Sequence, residues 1–469
     1  MSYSNKEKVI SDANILWKDD ILDHIIGVIE GSNDADITSR LDIITSSSPG
    51  WFPSDTTGED ITHLNDLIET KIQIGSVKRV TCEVPRGIVD DHLKVILEDI
   101  KVFAPGESDD KLYNEDQELK LYFPRGLTIM KLQDIHGHSS LDAVIYANKK
   151  FTGSPIDEDN DDIINHNWRD FFIKPYEDSV KVLCMEKING EAGHFSGRFI
   201  ENKFYLFAGS KNVHLMFNEK KHIDLYEGNR FQIAKEVAYE VFSHWSNMSS
   251  KTRNHLAHFL HKTKGTITCE ILRKSNQHVV VIEKDELVAY CVTPPPMIIK
   301  SMKDPMHLLT ITSPLHLLQL FECLNFKIPK YEEITMDEVE ERDTMVRNQT
   351  QLEGEVYYFI DKYDNTIGLL KVKTEWYLLC RAIRQKTFWN MYGRHECHDP
   401  DKIKASIEKR IKEFLDWLPI KEDDLENWID LGKKWVDWFQ SEKEKYPTRD
   451  DFSAKFPIIW DEFMKSNAL

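Results

Sequence analysis

The middle of the chain is dominated by short segments in which apolar and polar residues alternate, the pattern typical of β-strands. These segments lie between residues 178 and 380 and include VKVLCMEKI, FYLFAG, GTITCEIL, HVVVIEKDELVAYCV, GEVYYFID and IGLLKVKTEWYLLC. Apolar residues spaced by three and four predict inserted helices in RFQIAKEVAYEVFSHW, SKTRNHLAHFLHK and SPLHLLQLFECLNF. An antiparallel sheet with helices inserted between its strands accounts for this pattern.

The regions on either side have different patterns. From residue 76 to 175, VKRVTCEVP, KLYFPRGLTIMKL and LDAVIYANK predict strands, and GIVDDHLKVILEDI predicts a helix. Upstream, ILWKDDILDHIIGVIE predicts a helix and TSSSPGWFPSDTTGED a loop. Beyond residue 399 the apolar spacing is helical, and its aromatic residues fall on the buried face. We therefore expect an α+β protein with an N-terminal extension over 1–75, a main domain over 76–398 and an all-helical domain over 399–469.

The composition is that of a globular protein, because 41% of the 469 residues are hydrophobic and 30% are charged. No segment approaches the roughly 18 apolar residues of a membrane span, and the first residues lack the apolar run of a signal peptide. Seven scattered cysteines favour reduced thiols. These features predict an intracellular monomer, cytoplasmic or nuclear, that does not enter a membrane.

The net charge of −19 argues against indiscriminate nucleic-acid binding, since such binding depends on lysine and arginine neutralising phosphates. Any nucleic-acid site must therefore be local. The acidic residues are concentrated in GESDD, PIDEDNDD and KYEEITMDEVEERD, which we interpret as solvated loops.

The first candidate for chemistry is the segment Lys187-Ile188-Asn189-Gly190, which follows the apolar strand VKVLCME. A lysine that attacks phosphorus must be deprotonated and held still, which favours a partly desolvated position beside other cations. By itself this short pattern is common, and a surface lysine in a turn is the simpler interpretation.

An ordered series of polar residues at the ends of apolar strands changes that interpretation. It comprises Lys211 after FYLFAG, Glu270 in GTITCEIL, Glu353 before YYFI, and Lys371 with Lys373 after IGLL. Lys371 and Lys373 lie two apart on a strand and so point to one face. Lys211 and Lys371 could each be solvent-facing strand ends. Glu270 is harder to explain in this way, because burying an unpaired carboxylate is costly.

The order of these residues resembles the covalent nucleotidyltransferases, which include ATP-dependent DNA and RNA ligases and mRNA capping guanylyltransferases. The resemblance runs from about Arg125 to Arg384 and is greatest to the phage-type RNA ligase 1 branch and the adenylyltransferase domain of fungal and plant tRNA ligases. It rests on MEKINGEAGHF, AGSKNVH, GTITCEIL, EGEVYYFI and KVKTEWYLLCRAIRQKT, with FPRGLTI and NWRDFFIKPYED upstream. The chain departs from the pattern in having Ile-Asn-Gly after Lys187 and Arg169-Asp170 where a lysine is common.

The resemblance implies an ATP-grasp-like antiparallel-sheet domain that binds ATP and Mg²⁺. Lys187 would take AMP, assisted by the catalytic cations Lys211, Lys371 and Lys373. Arg125 would contact the β- and γ-phosphates, and hard oxygen ligands suit magnesium. The nucleotide site would comprise Glu186, Lys187, Asn189, Gly190, Arg125, Lys211, Glu270, Glu353, Lys371 and Lys373, with Glu270 and Glu353 also holding the metal.

The activity expected is ATP-dependent RNA ligation, in which AMP passes from Lys187 to an RNA 5′-phosphate and a 3′-hydroxyl then displaces it. A capping guanylyltransferase or a DNA ligase is an alternative, but these normally carry an OB-fold where this chain turns helical. A catalytically inactive RNA-binding relative is the third possibility. The chain has no P-loop motif, so a separate kinase would supply 5′-phosphates.

Two further features are open at this stage. Arg198 could contact the nucleotide or could simply be exposed. His395, Cys397 and His398 could bind zinc, but no second ligand pair stands nearby, which favours a loop.

Overall fold

The computed structural model describes residues 58–153, 167–296, 309–310, 314–393, 399–414, 418 and 421–466. Within them the protein has a mixed α+β fold built on three sheets, and nearly all strand pairs are antiparallel. The helix predicted near residue 20 and the His395–His398 segment lie outside the described residues. In the described part of the chain, no helix is long and apolar enough to cross a membrane.

The first sheet follows the strand order β1-β2-β3-β4. Its strands are β1 (Val77–Glu83), β2 (Leu93–Val102), β3 (Leu127–Asp134) and β4 (Ser139–Tyr146). Helix α1 (Gly58–Ile74) packs on it through Ile61, Leu64 and Ile68. Two short helices, α2 (Asp109–Glu115) and α3 (Gln117–Tyr122), lie between β2 and β3.

The prediction of a helix in GIVDDHLKVILEDI is wrong, because its second half is the internal strand β2. Leu97 pairs with Cys82 on β1 and with Met130 on β3. Pairing on both edges satisfies the N–H and C=O groups of the β2 backbone, and this outweighs the weak helical preference of the local sequence. The strand predicted from residue 120 begins only at Leu127, because α3 occupies the residues before it.

The second and third sheets each have five strands, in the orders β11-β10-β7-β8-β9 and β12-β6-β13-β14-β5. The strands are β5 (Thr152–Gly153), β6 (Ser179–Glu186), β7 (Glu191–Ile200), β8 (Lys203–Ser210), β9 (Val213–Phe217), β10 (Thr266–Leu272), β11 (Glu286–Thr293), β12 (Tyr331–Thr335), β13 (Gly354–Asp361) and β14 (Thr366–Lys373). Residues 187–190 connect β6 of the third sheet to β7 of the second, so this link crosses between the sheets.

The helices predicted within the central region are confirmed. They and their neighbours are α4 (Lys220–Asp224), α5 (Gln232–Asn247), α6 (Ser250–Thr263), α7 (Pro314–Cys323) and α8 (Val339–Arg347). The cysteines with described surroundings are free thiols, as expected: Cys82, Cys184, Cys269, Cys291 and Cys380.

Beyond residue 399 the described residues are helical, as their apolar spacing predicts, in α10 (Pro400–Glu413), α11 (Glu422–Glu442) and α12 (Arg449–Ser466), and a further helix, α9 (Glu375–Tyr392), precedes them. The aromatic residues of this region form a buried core around Trp435. The strand predicted through TEWYLLC is wrong: β14 ends at Lys373, and the Thr374 side chain accepts a hydrogen bond from the Tyr377 N–H and caps α9.

The strand predicted over 278–292 also begins late, at Glu286. Residues 273–285 form an irregular segment between β10 and β11, which we call the strap. The N–H groups of Val279, Val280 and Ile282 donate to side chains rather than to a neighbouring strand. This explains why an alternating apolar sequence does not extend the sheet here.

Candidate active site

Lys187 lies where the chain leaves β6 and enters the link to β7. Its N–H donates to the Gly354 carbonyl at 2.8 Å, which continues the β6–β13 pairing by one residue. Its Nζ lies 2.7 Å from Glu353 Oε1, and a quarter of its side chain is exposed (25%). Burial lowers the pKa of Lys187, but the carboxylates of Glu353 and Glu270 outweigh burial and raise it above its ordinary value. The lysine is therefore an ammonium ion in the protein without nucleotide.

Glu353 connects Lys187 to the strap through Asn189. The second oxygen of Glu353 accepts a hydrogen bond from Asn189 Nδ2 at 2.6 Å, and its side chain is almost fully buried. Asn189 Oδ1 accepts from the N–H groups of Val279 and Val280, both at 3.1 Å. Asn189 is thus fixed from two sides, and it holds the carboxylate that faces the lysine.

Glu270 joins the same group from β10. Its Oε1 accepts a hydrogen bond from the Gly190 N–H at 3.0 Å. Burial, assisted by the nearby Glu353 carboxylate, raises the pKa of Glu270 to about 7, although Lys187 acts in the opposite direction. Gly190 has no room for a side chain, because a Cβ atom would lie 2.6 Å from the Ile271 carbonyl oxygen. We call this group the Lys187 cluster: Lys187, Asn189, Gly190, Glu270 and Glu353.

Lys371 and Lys373 approach the Lys187 cluster along β14. Lys373 pairs with Gly354, so Lys187, Gly354 and Lys373 form one row across three chain segments. Adjacent strands are about 4.8 Å apart, which puts the two lysine backbones about 10 Å apart. Gly354 has φ of 145°, and a Cβ there would lie 1.9 Å from the Val372 carbonyl oxygen, so glycine is required between them. Both lysines are on one face of β14, as predicted.

The other predicted cations form a second group around α2. Asp109 Oδ2 lies 2.7 Å from Arg125 Nη2 and 3.3 Å from Lys211 Nζ. Asp110 Oδ1 lies 3.3 Å from the same Arg125 nitrogen and also pairs with Lys150 Nζ. Burial raises the pKa of Asp109, but Arg125, Lys211 and Lys150 outweigh it and hold that pKa below its ordinary value. We call this group the Arg125 cluster: Arg125, Lys150, Lys211, Asp109 and Asp110.

Sequence reasoning missed Lys150 and its neighbour Lys149. Lys149 is buried, and its Nζ has no hydrogen-bond partner within the described part of the chain. Burial lowers the pKa of Lys149 to about 7. The signal in the sequence was the pair of lysines directly after the apolar run of β4. In the structure the preceding Asn148 carbonyl accepts a hydrogen bond from the Arg125 N–H at 3.1 Å.

Strand β5 brings the Arg125 cluster close to the third sheet. Gly153 of β5 pairs with Lys371 of β14, and Lys150 precedes β5 by two residues. Lys371 therefore lies between the row that carries Lys187 and the segment that carries Lys150. Five predicted site residues thus form the Lys187 cluster, Arg125 and Lys211 belong to the Arg125 cluster, Lys371 and Lys373 lie on β14, and Glu186 ends β6.

A cavity of about 230 Å³ opens beside the Lys187 cluster. Its walls include Glu186, Lys187, Asn189 and Glu353 on one side and residues 280–284 of the strap on the other. Pockets for small molecules usually measure roughly 300–1,000 Å³. The cavity therefore suits a part of a nucleotide rather than the whole molecule.

Arg198 belongs to neither cluster. It is buried, and its guanidinium donates to Asp142 Oδ2 at 2.9 Å, to Ser196 Oγ at 2.8 Å and to several carbonyls. Both sequence interpretations of Arg198, nucleotide contact and solvent exposure, are therefore wrong; the residue ties β7 to β4.

The described residues contain no group of three or more His, Cys, Asp or Glu side chains that could hold a metal ion. Glu270 and Glu353 provide two carboxylates near one lysine. That donor set fits Mg²⁺, which commonly takes one or two protein carboxylates and completes its shell with water and substrate phosphates.

No family model matches this chain, and no curated protein matches its sequence. Among solved structures, form 2 of an archaeal ATP-dependent RNA ligase aligns with 88% of this chain and 82% of its own, at 10% identity and a TM-score of 0.42. Form 1 of that ligase aligns with 88% of this chain and 83% of its own, at 11% identity and a TM-score of 0.41. A Naegleria gruberi RNA ligase with pyrophosphate aligns with 65% of this chain and 97% of its own, at 12% identity and a TM-score of 0.30. These similarities are too low to define the activity of this chain.

Proposed function

We propose that this protein is an ATP-dependent RNA ligase that carries AMP on Lys187. The observation that supports it most strongly is the contact of Lys187 Nζ with Glu353, at 2.7 Å, in a link where Glu353 holds Asn189 and Glu270 holds Gly190. A lysine that pairs with a carboxylate at the edge of a cavity is an arrangement typical of a functional site.

In the first step the Lys187 amine attacks the α-phosphorus of ATP. The new N–P bond forms as the bond to the leaving pyrophosphate breaks, and the ammonium must first lose its proton. Glu353 is hydrogen-bonded to that ammonium and can accept the proton. A Mg²⁺ ion held by Glu270, and by Glu353 while that carboxylate is ionised, would neutralise charge on the phosphates. Lys371 and Lys373 supply further positive charge from β14.

The Arg125 cluster is suited to the β- and γ-phosphates. Arg125, Lys150 and Lys211 converge on the carboxylates of Asp109 and Asp110, so they already bind anionic oxygens. An arginine fork and two ammonium groups are the donors that phosphate oxygens favour. The segment with Lys150 leads into β5, which pairs with β14 at Lys371 on the edge away from β13.

After the first step, AMP would pass to the 5′-phosphate of an RNA strand, and a 3′-hydroxyl would displace AMP and seal the strand. The preference for RNA is supported by the sequence resemblance around KVKTEWYLLCRAIRQKT and FPRGLTI. It is also supported by the helices that follow β14, since DNA ligases and capping enzymes carry an OB-fold there.

The test uses ATP and GTP labelled at the α-phosphate and oligonucleotides with 5′-phosphate and 3′-hydroxyl ends. We expect covalent label from ATP alone and faster sealing of RNA than of DNA. Label from GTP would indicate a capping enzyme, and equal or faster sealing of DNA would reject the preference for RNA. RNA binding without any covalent label would indicate an inactive relative.

A further inference from the structure

We propose that the C-terminal helices position the nucleophile through the strap, with Gln277 as the positioning residue. The inference rests on the proposed function, because it concerns the same Lys187. Gln277 does not line the cavity, and its role is to hold the backbone that holds Asn189.

The strap reaches Lys187 through an unbroken chain of contacts. The Val279 and Val280 N–H groups donate to Asn189, Asn189 donates to Glu353, and Glu353 pairs with Lys187. None of these contacts exceeds 3.1 Å. A displacement of the strap backbone is therefore transmitted to the carboxylate that faces the nucleophile.

The other side of the strap is attached to the C-terminal helices. The Gln277 N–H donates to the Ala454 carbonyl of α12 at 2.9 Å. Val279 is buried in the same apolar cluster as Trp435 and Phe452. Arg384 of α9 donates to Ser453 next to this contact, at 3.0 Å to its carbonyl and 2.8 Å to its hydroxyl. Losing the contacts of Gln277 and Val279 with the helices would free this side of the strap, while its hydrogen bonds to Asn189 would remain.

The Gln277 side chain fixes the shape of the strap itself. It is 1% exposed, accepts a hydrogen bond from the Ile282 N–H at 2.7 Å and donates to the Lys274 carbonyl at 3.1 Å. These bonds close a loop around Val279 and Val280, and the same loop provides a wall of the cavity. A buried glutamine with both polar ends satisfied specifies one conformation, since each alternative would leave a buried group unpaired.

The test compares Gln277→Met with Gln277→Glu in the full chain. Methionine keeps the volume and loses both hydrogen bonds, whereas glutamate keeps the acceptor for Ile282 and, when protonated, a donor for Lys274. At saturating ATP we expect AMP attachment to slow by about tenfold or more in Gln277→Met, because small misplacements near reacting groups are costly. Gln277→Glu should retain most of the rate. Amide hydrogen exchange at Val279 and Val280 should accelerate in Gln277→Met.

Thr387→Val is the matched control. It removes two buried hydrogen bonds within the same helices, from Trp435 Nε1 to Thr387 at 2.9 Å and from Thr387 Oγ1 to the Ile383 carbonyl at 2.8 Å, and neither bond involves a strap residue. It should lower the melting temperature while leaving the attachment rate near that of the wild type. If Gln277→Met attaches AMP as fast as the wild type, or is slowed no more than Thr387→Val, the inference is wrong. A wild-type protein that takes no label would instead reject the proposed function.

Discussion

The two charged clusters differ in what their carboxylates do. In the Lys187 cluster, Glu353 accepts a hydrogen bond from Asn189 and Glu270 accepts one from the Gly190 N–H, so each carboxylate has a partner other than Lys187. In the Arg125 cluster, Asp109 and Asp110 are themselves bound by the cations expected to contact phosphate. The first arrangement favours a covalent reaction at a fixed lysine. The second favours exchange of a carboxylate for a phosphate.

The exposure of Glu353 and of the aspartates differs in the same sense. The Glu353 side chain is 6% exposed, whereas those of Asp109 and Lys211 are 33% and 41% exposed. Partly exposed ion pairs contribute little to stability, since the median is about 0–1 kcal/mol, and they are readily replaced. Breaking a buried pair leaves an uncompensated charge and costs more. The molecule thus combines a rigid group at the nucleophile with a replaceable one at the proposed phosphate position.

The largest effect is expected for Glu353→Ala. It removes a contact to Lys187 and a contact to Asn189, and we expect AMP attachment to fall by at least about a hundredfold, the scale seen when one preorganised electrostatic group is lost. Glu355→Ala is the control, because Glu355 lies two residues further along the chain, in β13, and pairs with Arg342 instead. It should retain the rate within about threefold in a folded sample. Similar losses in both variants would show that the strand, not the carboxylate, matters.

A smaller and more selective effect is expected for Arg125→Ala and Lys211→Ala. Loss of one charge-assisted contact costs about 1.5–3 kcal/mol, or roughly a tenfold to hundredfold weaker binding of ATP. RNA that already carries AMP on its 5′-phosphate needs no triphosphate, so both variants should seal it at nearly the wild-type rate. Lys203→Ala, which removes an exposed lysine bound to Asp90, should behave as the wild type. Equal loss with ATP and with adenylated RNA would mean that the clusters are not functionally distinct.

The smallest effect is expected for Asp109→Asn and Asp110→Asn. If these carboxylates occupy the phosphate position, their removal should tighten pyrophosphate binding by about twofold to fivefold, in line with the strength of partly exposed ion pairs. Isothermal titration with pyrophosphate measures this directly. Glu107→Gln removes an exposed acid of the same segment and should have no effect. Weaker pyrophosphate binding in the aspartate variants would show that Asp109 and Asp110 orient the cations instead.

The Lys187 cluster could be predicted largely from the sequence, because the order of its members along the chain resembles the motif order of a known enzyme family. The strands around it pair as their alternation indicates, so Lys187, Glu270 and Glu353 meet. The Arg125 cluster could be predicted only in part. Lys211 and Asp109 are 102 residues apart, and nothing local to either one indicates that they pair.

The errors in predicted structure have a common physical cause. Residues 93–102 form β2 because strands on both sides pair with it. Residues 278–285 are irregular because Asn189 and Gln277 take the N–H groups of the strap. In both segments, partners distant in the sequence decide the backbone conformation. The secondary-structure propensity of the segment itself does not indicate which partners these are.

The most direct test of the account is to find where AMP is attached. The protein is incubated with Mg²⁺ and ATP labelled at the α-phosphate, denatured, digested and mapped by mass spectrometry. We expect one acid-labile label, on the peptide that contains Lys187, and none in Lys187→Ala or in Lys187→Arg, whose guanidinium stays protonated. Lys181→Ala, which removes another lysine of β6, should be labelled normally. Label at another residue, or label that persists in Lys187→Ala, would contradict the account.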